Sequence, residues 1–195
     1  QVWLKFEGAN PTGSFKDRIA AMAGALIARD GLRGAVGTSS GNGGAAIAAY
    51  GARGGFPVVL FTTAGIVQGK LQQILAHGTR THLVSQLGSA TRDSGGIADT
   101  IAATAKEQGW LAFLTGARYA PEAMRGAETI AFELARQRPD ATAVYVPVGG
   151  GGLVASIWRG YKAMGLVPPK IIGVQPMGCP TLSRGVAGNL DALSE

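Results

Sequence analysis

One pattern constrains this chain more than any other. A short apolar run, a turn opened by glycine and a longer segment with apolar residues at helical spacing follow one another along most of its length. Residues 34–38 predict a buried strand and Gly41–Ala52 an alanine-rich helix. Pro57–Thr63 is the clearest strand, and Val67, Leu71, Ile74 and Leu75 mark the next helix. His82–Val84 then predicts a strand, Ile97, Ile101 and Ala105 a helix, and Trp110–Thr115 a strand. Ala120, Met124, Ala127, Ala131, Leu134 and Ala135 predict one long amphipathic helix, followed by a strand at Ala143–Val148. Leu153, Ile157, Tyr161 and Met164 mark a helix, Ile171–Gln175 a strand, and Val2–Phe6 a strand that opens the series. Alternation of this kind implies crossover helices between parallel strands, so the fold class is α/β. In such sheets ligands bind outside the carboxyl ends of the strands.

Composition excludes several other classes. The 31 glycines sit at strand-to-helix junctions without a repeat, which rules out collagen and low-complexity chains. The net charge of +6 is spread along the chain and aromatics are only 7%, so nucleic acid is not expected as a partner. No apolar run is long enough to span a bilayer, so no membrane partner is expected either. A single cysteine, Cys179, excludes a disulfide framework and reads as a buried or incidental thiol. With no visible signal peptide, a cytoplasmic location is the expectation. The chain opens on Gln1, almost inside a strand, and is expected to be the core of a longer protein, incomplete at both ends.

Chemistry is concentrated in three stretches. The first is Asn10-Pro11-Thr12-Gly13-Ser14-Phe15-Lys16-Asp17-Arg18, a turn that delivers one lysine to a helix start. Phe15, Ile19, Met22 and Leu26 recur at helical spacing, Ser14 reads as the N-cap, and Asp17 in the first turn suits the helix dipole. A cation at the positive end of a helix is disfavoured, so the Lys16 pKa should tend downward, which suits a nucleophilic amine.

Two glycine turns supply the other stretches. Thr38-Ser39-Ser40-Gly41-Asn42-Gly43-Gly44 offers hydroxyls, backbone N–H groups and one amide to an anion. Val148-Gly149-Gly150-Gly151-Gly152-Leu153 leaves no side chain between a ligand and the backbone, which makes it a phosphate cradle. Both match the dinucleotide-binding glycine pattern, yet the next strands end in Thr62-Thr63 and Gln175-Pro176, where that site needs an acidic residue for the ribose. A nucleotide P-loop fails too. Gly8 and Gly13 have the right separation, but the lysine comes two residues late. Tight helix-to-strand packing remains an alternative explanation for either turn alone. His77 and His82 lack metal-ligand partners at useful spacing and read as surface or turn residues, so no metal is expected. Lys70 and the tryptophans read as ordinary structural residues.

A helix-start lysine, an asparagine in a hydroxyl-rich loop and a tetraglycine turn together fit pyridoxal 5'-phosphate, which needs an amine, a phosphate site and a partner for its ring oxygen. The run Glu7–Arg18 resembles the lysine motif of threonine synthases. Arg125-Gly126 through Phe132-Glu133, Pro147–Leu153 and Gly173-Val174-Gln175 follow that family in the same order. The chain thus resembles the fold type II pyridoxal-phosphate enzymes, related to the tryptophan synthase beta subunit, over nearly its whole length. The resemblance implies two parallel-sheet α/β domains with the cofactor in the cleft between them. Residues 1–29 and 116–195 would form the cofactor domain and 30–115 a smaller insertion. It implies Lys16 as the Schiff-base lysine and Asn42 as partner of the ring oxygen. Gly149, Gly150, Gly151 and Gly152 would hold the phosphate, while Ser39, Ser40, Gly41 and Gly43 would bind the substrate carboxylate. The family's group facing the pyridine nitrogen lies beyond Glu195. A homodimer acting on a small amino-acid substrate is also implied, with conversion of O-phosphohomoserine to threonine as the first reading. The unbroken glycine run resembles dehydratases, which keeps a threonine or serine ammonia-lyase as the second. Ile19-Ala20 after the Asp-Arg pair resembles cysteine synthase, the third. A homologue that binds a phosphate ligand without turnover is the non-enzyme alternative.

Overall fold

In the first 126 residues, four of the strands predicted by the apolar runs form one parallel sheet. The computed structural model describes residues 1–85, 87, 96–116, 118–178 and 180–187, and these fall into two units, 1–126 and 127–195. Cys179 lies outside the described residues.

The first unit opens with a 3-10 turn, Glu7–Ala9, and helix α1, Lys16–Asp30. Strands β1 (Ala35–Thr38), β2 (Val58–Thr63), β3 (Arg80–Val84) and β4 (Leu111–Ala112) form a parallel sheet in the order β3-β2-β1-β4. Helices α2 (Asn42–Gly54), α3 (Gln68–Leu75) and α4 (Gly96–Glu107) connect the strands, and the short α5 (Pro121–Met124) follows. The whole sheet and its connecting helices lie within residues 30–115. Small side chains let α1 and α2 approach closely, with Ala20 and Ala23 on one and Ala45, Ala46 and Ala48 on the other all buried. In β2 burial alternates, which sends Val58, Leu60 and Thr62 into the core. Removing a side chain such as Leu60 or Ile19 from water contributes about 1.5–3 kcal/mol each.

The second unit holds helix α6 (Thr129–Gln137), strand β5 (Ala143–Pro147), helix α7 (Gly152–Ala163), strand β6 (Lys170–Val174) and helix α8 (Thr181–Val186). Here β5 and β6 pair in parallel from Ala143↔Lys170 to Pro147↔Val174, joined through α7, which packs on α6. Gly160 makes that packing possible, because a Cβ there would stand 2.6 Å from the Cβ of Ala131.

Three sequence expectations need correcting. Val2–Phe6 is not a strand: apolar residues favour one, but pairing makes it, and Val2 and Leu4 are 96% and 83% exposed. The strand expected at Trp110–Thr115 keeps only Leu111–Ala112, since its register with β1 is Ala35↔Leu111 and Val36↔Ala112 before the chain turns at Gly116. The long helix expected from Ala120 is α5, a 3-10 stretch at Arg125–Glu128, and α6. The tighter turn seats Gly126 against the Arg18 carbonyl, where any Cβ would collide.

Candidate active site

The lysine turn is closed by its backbone, with the Gly13 N–H donating to the Asn10 carbonyl at 2.8 Å, and braced by side chains. The Asn10 amide donates to the Glu7 carbonyl (2.7 Å) and to its Oε2 (2.9 Å). Arg18 closes the other side with a bidentate pair, Nε to Glu7 Oε2 at 2.7 Å and Nη2 to Oε1 at 2.8 Å, the geometry in which an arginine–carboxylate pair is strongest. Gly13 has φ +85°, with open space around its α-carbon, so conformation rather than room requires glycine here. Ser14 does not cap through the expected Ncap geometry. Phe15 occupies that place, and Ser14 Oγ accepts from the Lys16 N–H at 3.3 Å.

Asp17 does more than suit a dipole. It is 1% exposed, and its Oδ2 accepts from the Thr12 N–H (3.2 Å) and the Thr12 hydroxyl (2.8 Å), tying the turn to the helix. Lys16, next to it, is half-buried with Nζ 4.9 Å from the centre of the Phe15 ring. Burial pushes its pKa below the ordinary lysine value, so the direction expected from the helix end is right but its cause is desolvation. A larger share of neutral amine is the chemical result.

Asn42 is the first residue of α2, and α2 packs along α1, which Lys16 heads. The preceding loop is organised by Ser39, whose Oγ accepts from the Gly41 N–H (3.3 Å) and the Gly44 N–H (2.8 Å). Ser39 thus holds the loop itself. Ser40 and Asn42 are exposed and Gly41 half-exposed, so these three present the groups a ligand could reach. Gly43 and Gly44 are buried: a Cβ at Gly43 would stand 3.2 Å from Thr115 Cγ2, and one at Gly44 3.0 Å from Ile74 Cδ1. Thr115, beside this loop, escaped the sequence reading. It follows an apolar run with no motif of its own, and only its proximity to Gly43 marks it.

The tetraglycine turn, in the second unit, is made differently. Val148 is buried and donates to the Val174 carbonyl at 2.9 Å, while Gly149 and Gly150 are exposed. Gly151, at φ +80°, caps α7. Among the described residues a Cβ at Gly149, Gly150 or Gly151 would meet nothing within 4 Å, so packing there does not account for these glycines. Gln175 braces the turn, with its amide 3.5 Å from the Gly149 carbonyl and its Oε1 accepting from the N–H groups of Leu182 (3.1 Å) and Ser183 (3.3 Å). The first N–H groups of any helix lack partners inside it, so α7 begins with bare donors at its positive end. An amine of lowered basicity and a bare glycine turn at a helix start are what a phosphate ester bearing an aldehyde needs, and the residues present fit pyridoxal phosphate.

Elsewhere, His82 lies on β3 and stacks on Phe61 with ring centres 5.3 Å apart. Among the described residues no group of three His, Cys, Asp or Glu could hold a metal. No helix there is long and apolar enough to cross a membrane.

Comparison with known proteins gives a consistent result. The chain is 34% identical over 199 residues to a threonine synthase of Methanosarcina acetivorans, covering 96% of this chain and 46% of that protein. It is 35% identical over 188 residues to one of Methanocaldococcus jannaschii, covering 91% and 44%. It spans about half the length of the curated relatives it matches. Among solved structures it resembles a pyridoxal 5'-phosphate-dependent aspartate racemase (TM-score 0.74, 27% identity, 93% of this chain and 53% of that one). It also resembles the processed threonine deaminase isoform 2 of Solanum lycopersicum (TM-score 0.74, 27% identity, 94% and 48%). Residues 1–195 match the family described as "Pyridoxal-phosphate dependent enzyme", and the chain belongs to that family.

Proposed function

We propose that this chain carries the reactive lysine of a pyridoxal-phosphate-dependent lyase of the threonine synthase type, converting O-phosphohomoserine and water to threonine and phosphate. The observation that carries the reading is Lys16, a half-buried amine of lowered pKa in a turn braced by Glu7–Arg18 and Thr12–Asp17. Lys16 attaches the cofactor, Asn42 meets its ring oxygen, and Gly149, Gly150, Gly151 and Gly152 hold its phosphate. When bound, the cofactor supplies an electron sink for negative charge at the substrate α-carbon. Once the substrate amine has taken its place, Lys16 Nζ removes the proton from that α-carbon. Ser40 and the loop backbone around Gly41 and Gly43 orient the substrate carboxylate, with Ser39 fixing the loop that presents them. In this reading residues 30–115 form a smaller inserted domain, with 1–29 and 116–195 as the cofactor domain of a cytoplasmic homodimer.

The likeness to a threonine deaminase supports a second reading, an ammonia-lyase acting on threonine or serine. Cysteine synthase chemistry is third. One side-by-side assay separates them. The purified protein with pyridoxal phosphate is offered O-phosphohomoserine, threonine, serine and O-acetylserine. Phosphate released with threonine formed supports the first reading, and 2-oxobutanoate or pyruvate the second. Borohydride reduction and peptide mapping should tag Lys16. A tag elsewhere overturns its assignment, and phosphate-ligand binding that survives Lys16→Ala without any turnover favours the non-enzyme alternative.

A further inference from the structure

Helix α3 reaches the lysine turn through one glutamine. Gln73 Nε2 donates to the Thr12 carbonyl at 3.3 Å, a contact across 61 positions of sequence. Its Oε1 accepts from Lys70 Nζ at 3.1 Å, one helical turn away. An ammonium can only donate, so Lys70 fixes which end of the Gln73 amide faces it and leaves the NH2 for Thr12. Thr12, 6% exposed, then donates its N–H and hydroxyl to Asp17 Oδ2 at 3.2 and 2.8 Å. Every polar group of Thr12 is therefore engaged. The donors run from the Lys70 cation through the Gln73 amide to the Thr12 carbonyl. The N–H of that same peptide group, on Gly13, donates onward to the Asn10 carbonyl at 2.8 Å, a chain in which each link polarises the next. The Thr12 N–H and hydroxyl separately tie the turn to Asp17. Asp17 is the neighbour of Lys16.

We infer that Gln73, oriented by Lys70, is a positioning residue for Lys16: its hydrogen bond to the Thr12 carbonyl holds the turn in the geometry from which the Lys16 amine attacks. Lys70 and Gln73 lie outside the lysine motif, on a different helix. The Thr12 carbonyl is the only point at which α3 is seen to touch the turn's backbone among the described hydrogen bonds. Freed from it, residues Thr12–Ser14 keep their tie to Asp17 on α1 but lose their hydrogen bond to α3.

The inference rests on the proposed attachment of pyridoxal phosphate to Lys16, and the experiment keeps the two apart. In capture, Lys16 Nζ bonds the aldehyde carbon and the carbonyl oxygen leaves as water. Its rate is followed by absorbance in the cofactor-stripped protein, with borohydride trapping to confirm the residue. Binding of pyridoxamine phosphate, which has an amine where the aldehyde would be and cannot be captured, is measured alongside. Gln73→Met removes both hydrogen bonds, whereas Gln73→Glu keeps the Lys70 pairing and cannot donate to Thr12. Both variants should capture more slowly by about tenfold, on the order of the loss of one hydrogen bond of this kind, with pyridoxamine phosphate affinity unchanged. Failure of the unaltered protein to be tagged at Lys16 sinks the functional reading. Tagging at Lys16 with wild-type rates in either variant overturns the positioning role. So does an equal loss of pyridoxamine phosphate binding, or loss of the folded circular dichroism spectrum in both variants, since either outcome assigns Gln73 to holding the fold.

Discussion

The two glycine-rich turns look alike in sequence and are built on opposite principles. In Ser39–Gly44 the two buried glycines are hemmed in by neighbours: Thr115 stands against Gly43, and Ile74, Leu60 and Ser39 crowd Gly44, while Gly41 has open space. In Gly149–Gly151 the same positions open onto empty space. Packing explains Gly43 and Gly44, a positive φ explains Gly151, and Gly149 and Gly150 have neither reason. A glycine run with room for side chains points to something else that needs the room, and an anion at bare N–H groups is the physical candidate.

Substitutions test that contrast directly. The largest effect should come from Gly150→Asp, which fits sterically but sets a carboxylate where the phosphate is proposed to lie. Such like-charge placement costs several kcal/mol, so pyridoxal phosphate affinity in a fluorescence titration should fall roughly 100-fold while the melting temperature barely moves. A lowered melting temperature with unchanged affinity would erase the distinction between the turns. Gly44→Ala should do the reverse. Its Cβ would stand 3.0 Å from Ile74 Cδ1 and 3.2 Å from Ser39 Cβ. Such overpacking costs about 1–3 kcal/mol, roughly 2–4 °C of melting temperature per kcal/mol in a chain of this size. Ser39→Ala removes the acceptor for two backbone N–H groups and should cost about 1 kcal/mol in a urea titration, with Ser39→Thr recovering part of it. The smallest effect belongs to Gly149→Ala. With no positive φ and nothing nearby, it should alter stability by no more than about 0.5 kcal/mol, and a larger change would mean that packing matters there after all.

Legibility in the sequence followed the range of the interactions. The lysine turn was readable because its signals, Pro11, Gly13 and the helical spacing after Phe15, act within a few residues. What Asp17 does there was not, since a first-turn acid suits a helix dipole whether or not it is buried on Thr12. The break at Gly126 depends on the Arg18 carbonyl, more than a hundred positions away in sequence, and an uninterrupted apolar stripe carries no mark of it. Val2–Phe6 failed for the complementary reason: its residue types suit a strand, but a ladder needs a second strand that no local pattern supplies. Thr115 and Gln73 have no local signature, and each becomes notable only through a partner brought near by the fold.

The order of strands in the four-stranded sheet bears on how the chain is made. β1 pairs on one side with β2, which follows it closely, and on the other with β4 at residues 111–112. During synthesis β1, β2 and β3 can assemble once residue 84 is clear of the ribosome, yet the β4 side of β1 stays unpaired until residue 112 follows. At roughly 5–20 residues per second that interval lasts a few seconds. For that time a nascent chain exposes the open hydrogen-bonding edge of its central strand, the kind of edge that recruits other chains. The two-residue strand that finally covers it is short, but it arrives with Phe113, whose carbonyl seats against Gly37 and closes the gap.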